Sequence, residues 1–310
     1  MSAIHTSMEE LIGHTPLLEF THIEKELNLS ARIIGKMECF NATGSAKDRI
    51  ARKMIEDAEE KGLLKPGSTI IEETSGNTGI GLSAVATAKG YKVIIVMPDT
   101  MSEERRKLMR AYGAEVVLSD GKKGMQGAVD LVNELAVKIP DSWVAGQFVN
   151  PSNWKAHYET TGLEIWQDTD GKVDIFAAGV GTGGTLTGTG KYLKEHNPDI
   201  KVIALEPDTD ALLSGDHAGP HGIQGIGANF IPQVLDRTIY DEVLRITDKE
   251  AYQYGAMIGR KEGILTGISS GAALAGAIRL AQRKENAGKM IVAVMPDSGD
   301  RYLSTKLFGD

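Results

Sequence analysis

Three glycine-rich turns and one lysine hold the residue types of this 310-residue chain that could do chemistry. The turn Glu73-Thr74-Ser75-Gly76-Asn77-Thr78-Gly79 groups three hydroxyls and a carboxamide at the start of a helical pattern. With the N–H groups of that helix start, these donors form a cup for a small carboxylate. Read alone, they equally make an ordinary strand-to-helix connection capped by Ser and Asn. The second turn runs from Gly179 to Thr185 and fits G-x-G-x-x-G, with Glu206 at the end of the next strand, where a nicotinamide-binding protein keeps an acid for the ribose. Backbone N–H groups at a helix N-terminus cradle any phosphate, so this turn suits an NAD-dependent dehydrogenase or a smaller cofactor. The third turn, Gly267 to Gly271, fits the G-x-S-x-G nucleophile elbow around Ser269. Chain order refutes a hydrolase, which needs its histidine after the serine, because the last histidine here is His221. Lys47, beside Asp48 and Arg49 in the first turn of a predicted helix, reads by itself as a surface charge.

The elements that must position these residues alternate along nearly the whole chain. Short apolar runs predict strands over 32–36, 69–72, 92–97, 115–118, 174–177, 202–205, 243–246 and 290–295. Amphipathic or Ala-rich stretches lie between them, which implies an α/β fold with parallel strands covered on both faces. Ser45 and Asp48 resemble an N-capping arrangement for a helix that Gly62 closes. A second, Ala-rich helix is predicted from Ile80 to Lys89, ending at Gly90, and is small enough in its side chains to pack closely on a sheet. The charge run from Glu103 to Arg110 reads as a solvated helix face, and Pro207 to Gly227 as a long loop of the kind that borders a site.

Composition closes off other classes. With 34 basic and 42 acidic residues the net charge is -8, which leaves no basic face for nucleic acid. No apolar run approaches the ~18 residues of a membrane span, and the start, with Glu9 and Glu10, lacks the basic-then-apolar pattern of a secretory signal. A single cysteine, Cys39, excludes an intrachain disulfide and a multi-thiolate metal site. The expected setting is cytoplasmic, with no metal.

Together the turns, with Glu9-Glu10-Leu11-Ile12-Gly13-His14-Thr15-Pro16-Leu17 near the start and Pro296-Asp297-Ser298-Gly299-Asp300-Arg301-Tyr302 near the end, resemble the cysteine synthase (O-acetylserine sulfhydrylase) family of fold-type II pyridoxal-phosphate enzymes. The resemblance covers nearly the full chain. It implies that Lys47, in a G-S-x-K-D-R stretch, holds pyridoxal 5'-phosphate covalently, and that Asn77 bonds the ring hydroxyl. Thr74, Ser75, Gly76 and Thr78, with Gln147, would take the substrate carboxylate. Gly181, Thr182, Gly183, Gly184 and Thr185 would hold the phosphate, and Ser269 would meet the pyridine nitrogen. A neutral hydroxyl there makes the ring a less extreme electron sink than a carboxylate would, which suits β-elimination and replacement.

The implied activity is β-replacement that forms L-cysteine from O-acetyl-L-serine and sulfide through an aminoacrylate, with Lys47 as the general base. A cystathionine β-synthase-like, cysteine-desulfhydrase or lanthionine-forming enzyme is the alternative within the family, and an NAD-dependent dehydrogenase the one outside it. The implied architecture is tryptophan-synthase-β-like, with helix-covered, mostly parallel sheets in two domains. Residues 1–45 and 147–310 would form the larger, cofactor-phosphate domain, and 46–146 a smaller mobile domain that carries the carboxylate loop. A homodimer, and in some relatives docking of the C-terminal tail of serine acetyltransferase, also belong to the resemblance. Ala42, Trp154 and Leu163 stand where many members carry proline, departures that touch loop stiffness rather than cofactor contacts.

Overall fold

The structure is a computed structural model and describes residues 4–309. In chain order its elements are β1 (Leu17–Glu19), α1 (Thr21–Glu26), β2 (Arg32–Met37), α2 (Lys47–Glu60), β3 (Thr69–Glu73), α3 (Asn77–Ala88), β4 (Lys92–Pro98), α4 (Glu103–Ala111), β5 (Glu115–Ser119), α5 (Gly124–Lys138) and β6 (Ser142–Val144). There follow α6 (Ser152–Ala156), a π-helical segment (His157–Gly162), α7 (Leu163–Asp168), β7 (Ile175–Gly179), α8 (Gly184–His196), β8 (Lys201–Pro207), β9 (Glu242–Ile246), α9 (Asp248–Glu262), α10 (Ile268–Ala281) and β10 (Met290–Met295). Among the described residues no helix is long and apolar enough to cross a membrane.

The chain divides into two compact units, one of the described residues up to Ile12 with Asn41–Asn153, the other of Gly13–Phe40 with the chain from Trp154 onward. These bounds differ from the 46–146 division expected above, most at the leading segment. Arg52 donates from Nη1 to the Glu9 carbonyl (3.1 Å), and Lys89 pairs with the Glu9 carboxylate (3.0 Å), so that segment is tied into the first unit.

The first unit holds a fully parallel sheet in the order β5-β4-β3-β6. α5 covers one face through Ala128 and Val132, which lie against Ile71, Ile94 and Val96. α2 and α3 pack on each other. The second unit holds the order β1-β2-β10-β7-β8-β9, parallel except for β1. Successive residues of a strand point to opposite faces. Ile175, Ala177, Ile203 and Leu205 therefore join one core with α9 and α10, while Phe176, Ala178, Val202 and Ala204 join another with Leu186 and Leu193 of α8. Apolar cover on both faces is why these strands read as continuous apolar runs rather than alternating ones. α10 is apolar all round and buried almost throughout.

Each strand predicted from the sequence forms. β1 and β6 were not foreseen; each is three residues long, too short to leave a pattern. The Ala-rich helix begins at Asn77, three residues before the predicted start. The capping expectation at Ser45 and Asp48 needs correction. No side chain caps α2 from its N-cap residue Ala46. The Asp48 carboxylate instead turns back to accept from the Thr43 backbone N–H (2.6 Å) and from the Thr43 hydroxyl, while Ser45 Oγ accepts the Lys47 N–H (3.3 Å).

Candidate active site

In the first unit Lys47 opens α2, half-buried, and the loop 74–78 opens α3. A close approach of the two helices fixes their relation. A Cβ placed on Gly81 of α3 would lie 3.1 Å from the Lys47 carbonyl oxygen, and one on Gly79 would lie 2.9 Å from Thr74 Cγ2 and 2.7 Å from Met109 Cε. Glycine at 81 lets α3 seat against the first turn of α2, and glycine at 79 makes room for Thr74 and for Met109 of α4.

Within the loop, Thr74 Oγ1 accepts the Gly76 N–H (3.2 Å), which leaves the hydroxyl proton of Thr74 available to donate. Thr78 donates its hydroxyl to Gln147 Oε1 (2.6 Å), which orients the Gln147 carboxamide with its NH2 group turned away from Thr78. No side chain caps α3 from Gly76, so the first N–H groups of the helix, and the positive end of its dipole, face the loop. One member of the charge run is not a solvated face: Arg105 reaches back from α4 to donate to the Ser75 carbonyl (3.3 Å).

Glu72 lies directly behind the loop, fully buried. Its carboxylate accepts the backbone N–H groups of Gly146 (2.7 Å) and Gln147 (3.3 Å). Burial first, and then the neighbouring Glu73, push its pKa up to about 8, against the pull of those two N–H donors and of the Gln147 carboxamide.

In the second unit the turn after β7 is made of backbone. Gly183, the N-cap residue of α8, has φ +83°, and no side chain caps the helix. Added Cβ atoms would come 2.5 Å from the Gly225 carbonyl oxygen at Gly181 and 2.6 Å from Leu235 Cβ at Gly183. Thr182 Oγ1 accepts the Gly184 N–H (3.3 Å). Gly225 also lies beside Ser269, whose Oγ would be 3.5 Å from a Cβ at that glycine, and the Gly227 N–H donates to the Val180 carbonyl (3.0 Å). The 225–227 segment therefore joins the cup 181–185 to Ser269 at the start of α10. That start is fixed in turn: the Gly267 N–H donates to the Asp297 carbonyl (3.1 Å), and the Tyr302 hydroxyl to the Asp297 carboxylate (2.7 Å).

Besides Arg105, two residues that sequence reasoning missed support these turns, each within its own unit. His157, buried in the π-helical segment, lies with Nε2 3.2 Å from the Thr185 hydroxyl and Nδ1 2.9 Å from the Thr161 hydroxyl. The other is Glu72, visible in the sequence only as the end of an apolar strand. Nothing in the local pattern around His157 marks it. Glu206, the ribose candidate, is committed elsewhere: it accepts the N–H groups of Leu213 (2.8 Å) and Ser214 (3.1 Å) and the Ser214 hydroxyl. Cys39 is half-buried, and burial pushes its thiol up to about 11, away from reactive thiolate chemistry. Among the described residues no group of three or more His, Cys, Asp or Glu could hold a metal ion.

A glycine cradle without room for a Cβ, at an uncapped helix N-terminus, with a buried serine hydroxyl beside it, fits a cofactor with one phosphate and a ring nitrogen. It offers no free acid for a ribose. The chain belongs to the pyridoxal-phosphate-dependent enzymes: the profile of the family described as "Pyridoxal-phosphate dependent enzyme" matches residues 8–297. It is similar to cysteine synthase A of Escherichia coli (strain K12), with 48% identity over 319 residues that cover 100% of this chain and 97% of the relative. A crystal structure of cysteine synthase (OASS) from Entamoeba histolytica superposes with a TM-score of 0.97 at 45% identity, covering 100% of this chain and 92% of that one. One of a hydrogen sulfide-producing enzyme from Fusobacterium nucleatum gives 0.93 at 46% identity, covering 98% and 99%. The fold is accordingly the fold-type II arrangement of mostly parallel, helix-covered sheets.

Proposed function

We propose that the protein forms L-cysteine from O-acetyl-L-serine and sulfide by β-replacement, with Lys47 holding pyridoxal phosphate and moving the substrate's Cα proton. One observation carries this assignment of roles: the only lysine in the first turn of α2 and the donor-rich loop 74–78 are held on one pair of helices, which approach where Gly81 meets the Lys47 carbonyl. Pyridoxal phosphate, when bound, supplies the electron sink that lets the Cα proton and then the β-substituent leave. Lys47 Nζ accepts that proton as general base. The Thr74 and Ser75 hydroxyls and the open face of Gly76, with the Gln147 carboxamide that the Thr78 hydroxyl holds, bind and orient the amino-acid carboxylate. Asn77 bonds the ring hydroxyl. Gly181, Thr182, Gly183, Gly184 and Thr185 hold the phosphate with backbone N–H groups and hydroxyls. Ser269 presents a neutral hydroxyl to the ring nitrogen, which favours loss of a β-substituent over transamination.

The purified protein is expected to be yellow, with borohydride reduction fixing the cofactor to Lys47. Lys47→Ala should lower turnover by about 10²–10⁴-fold or more from loss of the base, with the fold retained. Steady-state rates with O-acetylserine, O-phosphoserine, serine and cysteine, each with sulfide or homocysteine, test the substrate assignment. Serine with homocysteine as the best pair, or sulfide release from cysteine alone faster than cysteine synthesis, would overturn it. The reading also takes the protein as a cytoplasmic homodimer, for which sedimentation of the purified protein is the direct measurement. Binding of a serine acetyltransferase C-terminal peptide, competed by O-acetylserine, would test the partner.

A further inference from the structure

β6 pairs with β3 in parallel up to Val144, opposite Ile71, and the Ala145 N–H still donates to the Ile71 carbonyl (3.1 Å). At Gly146, φ +65°, the chain leaves the ladder. The next two N–H groups would lose their sheet acceptors there, and both are taken by one side chain, the carboxylate of Glu72. The Asn153 carboxamide donates to the Gln147 carbonyl (2.7 Å), so the Gln147 backbone is held from both sides. Its side chain is held at the far end by the Thr78 hydroxyl. Burying a carboxylate costs stability that an apolar residue at this core position would avoid. Its presence one residue before the end of β3 needs another reason.

We propose that Glu72 is a positioning residue for recognition of the amino-acid substrate: by gripping the Gly146 and Gln147 amides where β6 peels away, it sets the Gln147 carboxamide for the substrate carboxylate. The inference rests on the reading of Gln147 given under Proposed function. Glu72 touches neither substrate nor cofactor. It acts through Gln147, by its backbone amide and by its carboxamide, so its removal should weaken capture of the amino acid and leave the cofactor and the sulfide step alone.

The test compares holoenzymes of wild type, Glu72→Gln, Gln147→Ala and the double variant in steady-state kinetics with O-acetyl-L-serine and sulfide. Cofactor absorbance and thermal midpoint are recorded for each. Glu72→Gln keeps the shape of the side chain but replaces one acceptor oxygen by an NH2 group facing an N–H donor. It should lower kcat/KM for O-acetylserine about tenfold, the loss of one buried hydrogen bond. kcat/KM for sulfide should change by less than about twofold. The double variant should be no worse than Gln147→Ala alone, because both remove the same interaction. A normal kcat/KM for O-acetylserine in Glu72→Gln beside an impaired Gln147→Ala would overturn the proposal and leave the carboxylate reading standing. A neutral Gln147→Ala would sink the carboxylate reading, and the proposal with it. Losses that multiply in the double variant would show that Glu72 works by another route. Glu72→Asp, which keeps the carboxyl group and shortens the reach, should recover part of the lost kcat/KM.

Discussion

The turns at 74–78 and 181–185 share one frame, a parallel strand running into the uncapped N-terminus of a helix, and they fill it in opposite ways. At 181–185 the surface is main chain. Gly181 and Gly183 are packed against Gly225 and Leu235 so closely that no Cβ fits, and Gly183 sits at a φ that L side chains avoid. At 74–78 the surface is side chain, three hydroxyls and a carboxamide, and Gly76 has open space where its Cβ would be. The helix dipole supplies positive potential in both. What fills the turn then decides how the ligand is held. Rigid amides that cannot rearrange suit a phosphate that stays for many turnovers. Hydroxyls that rotate suit a carboxylate that arrives and departs in each.

The strongest way to break this contrast is to put side chains into the backbone-built turn. Gly183→Ala forces a left-handed φ on alanine, about 1–2 kcal/mol, and overpacks Leu235, about 1–3 kcal/mol more. Gly181→Ala presses on the Gly225 carbonyl. Either should weaken retention of pyridoxal phosphate about 100-fold, read by titrating the cofactor-free protein. Full yellow colour after exhaustive dialysis would remove the phosphate from this turn.

A second probe uses the carboxylate behind the side-chain turn. In the folded protein Glu72 holds its proton up to about pH 8, whereas in the unfolded chain a glutamate has lost it above 4.5. Between those values the folded state binds more protons than the unfolded one, so stability falls as pH rises through that window. Glu73, raised in the same direction by burial, adds to the trend. Urea unfolding from pH 5.5 to 8.5 should show wild type losing stability relative to Glu72→Gln by about 1–3 kcal/mol. Parallel curves for the two proteins would mean that Glu72 is ionised throughout. Smaller again is Thr74→Val, which removes the hydroxyl with both its proton and its bond to the Gly76 N–H. It should raise KM for O-acetylserine about tenfold, with cofactor retention unchanged.

How much of this was legible beforehand follows the same division. The glycines of 181–185, the strand before them and the helix after them are local, and local spacing announces them. Lys47 was not legible by itself, because a lysine in a first helical turn has the same appearance whether or not it does chemistry; the coincidence of several motifs singled it out. Glu206 looked like a ribose ligand until its turn with Leu213 and Ser214 was known. Glu72, His157 and Arg105 could not be foreseen for a common reason. Their partners lie 74, 28 and 30 positions away, and only the folded chain brings them together.

The smallest perturbation sharpens the contrast most directly, because it makes the same Gly→Ala change in the other turn. Gly76 has φ -118° and ψ -157°, extended backbone that alanine adopts freely, and an added methyl meets nothing within 4 Å. Its N–H donates to Thr74 Oγ1, a bond that alanine keeps. Gly76→Ala should therefore change stability by no more than about 0.5 kcal/mol, with any gain coming from a less flexible unfolded chain. The cofactor should stay bound. If the open space in front of Gly76 receives the carboxylate, the methyl intrudes there and nowhere else, and KM for O-acetylserine should rise about threefold while kcat/KM for sulfide holds. A Gly76→Ala protein that loses its cofactor would show that this turn, too, serves the resident group rather than the passing one.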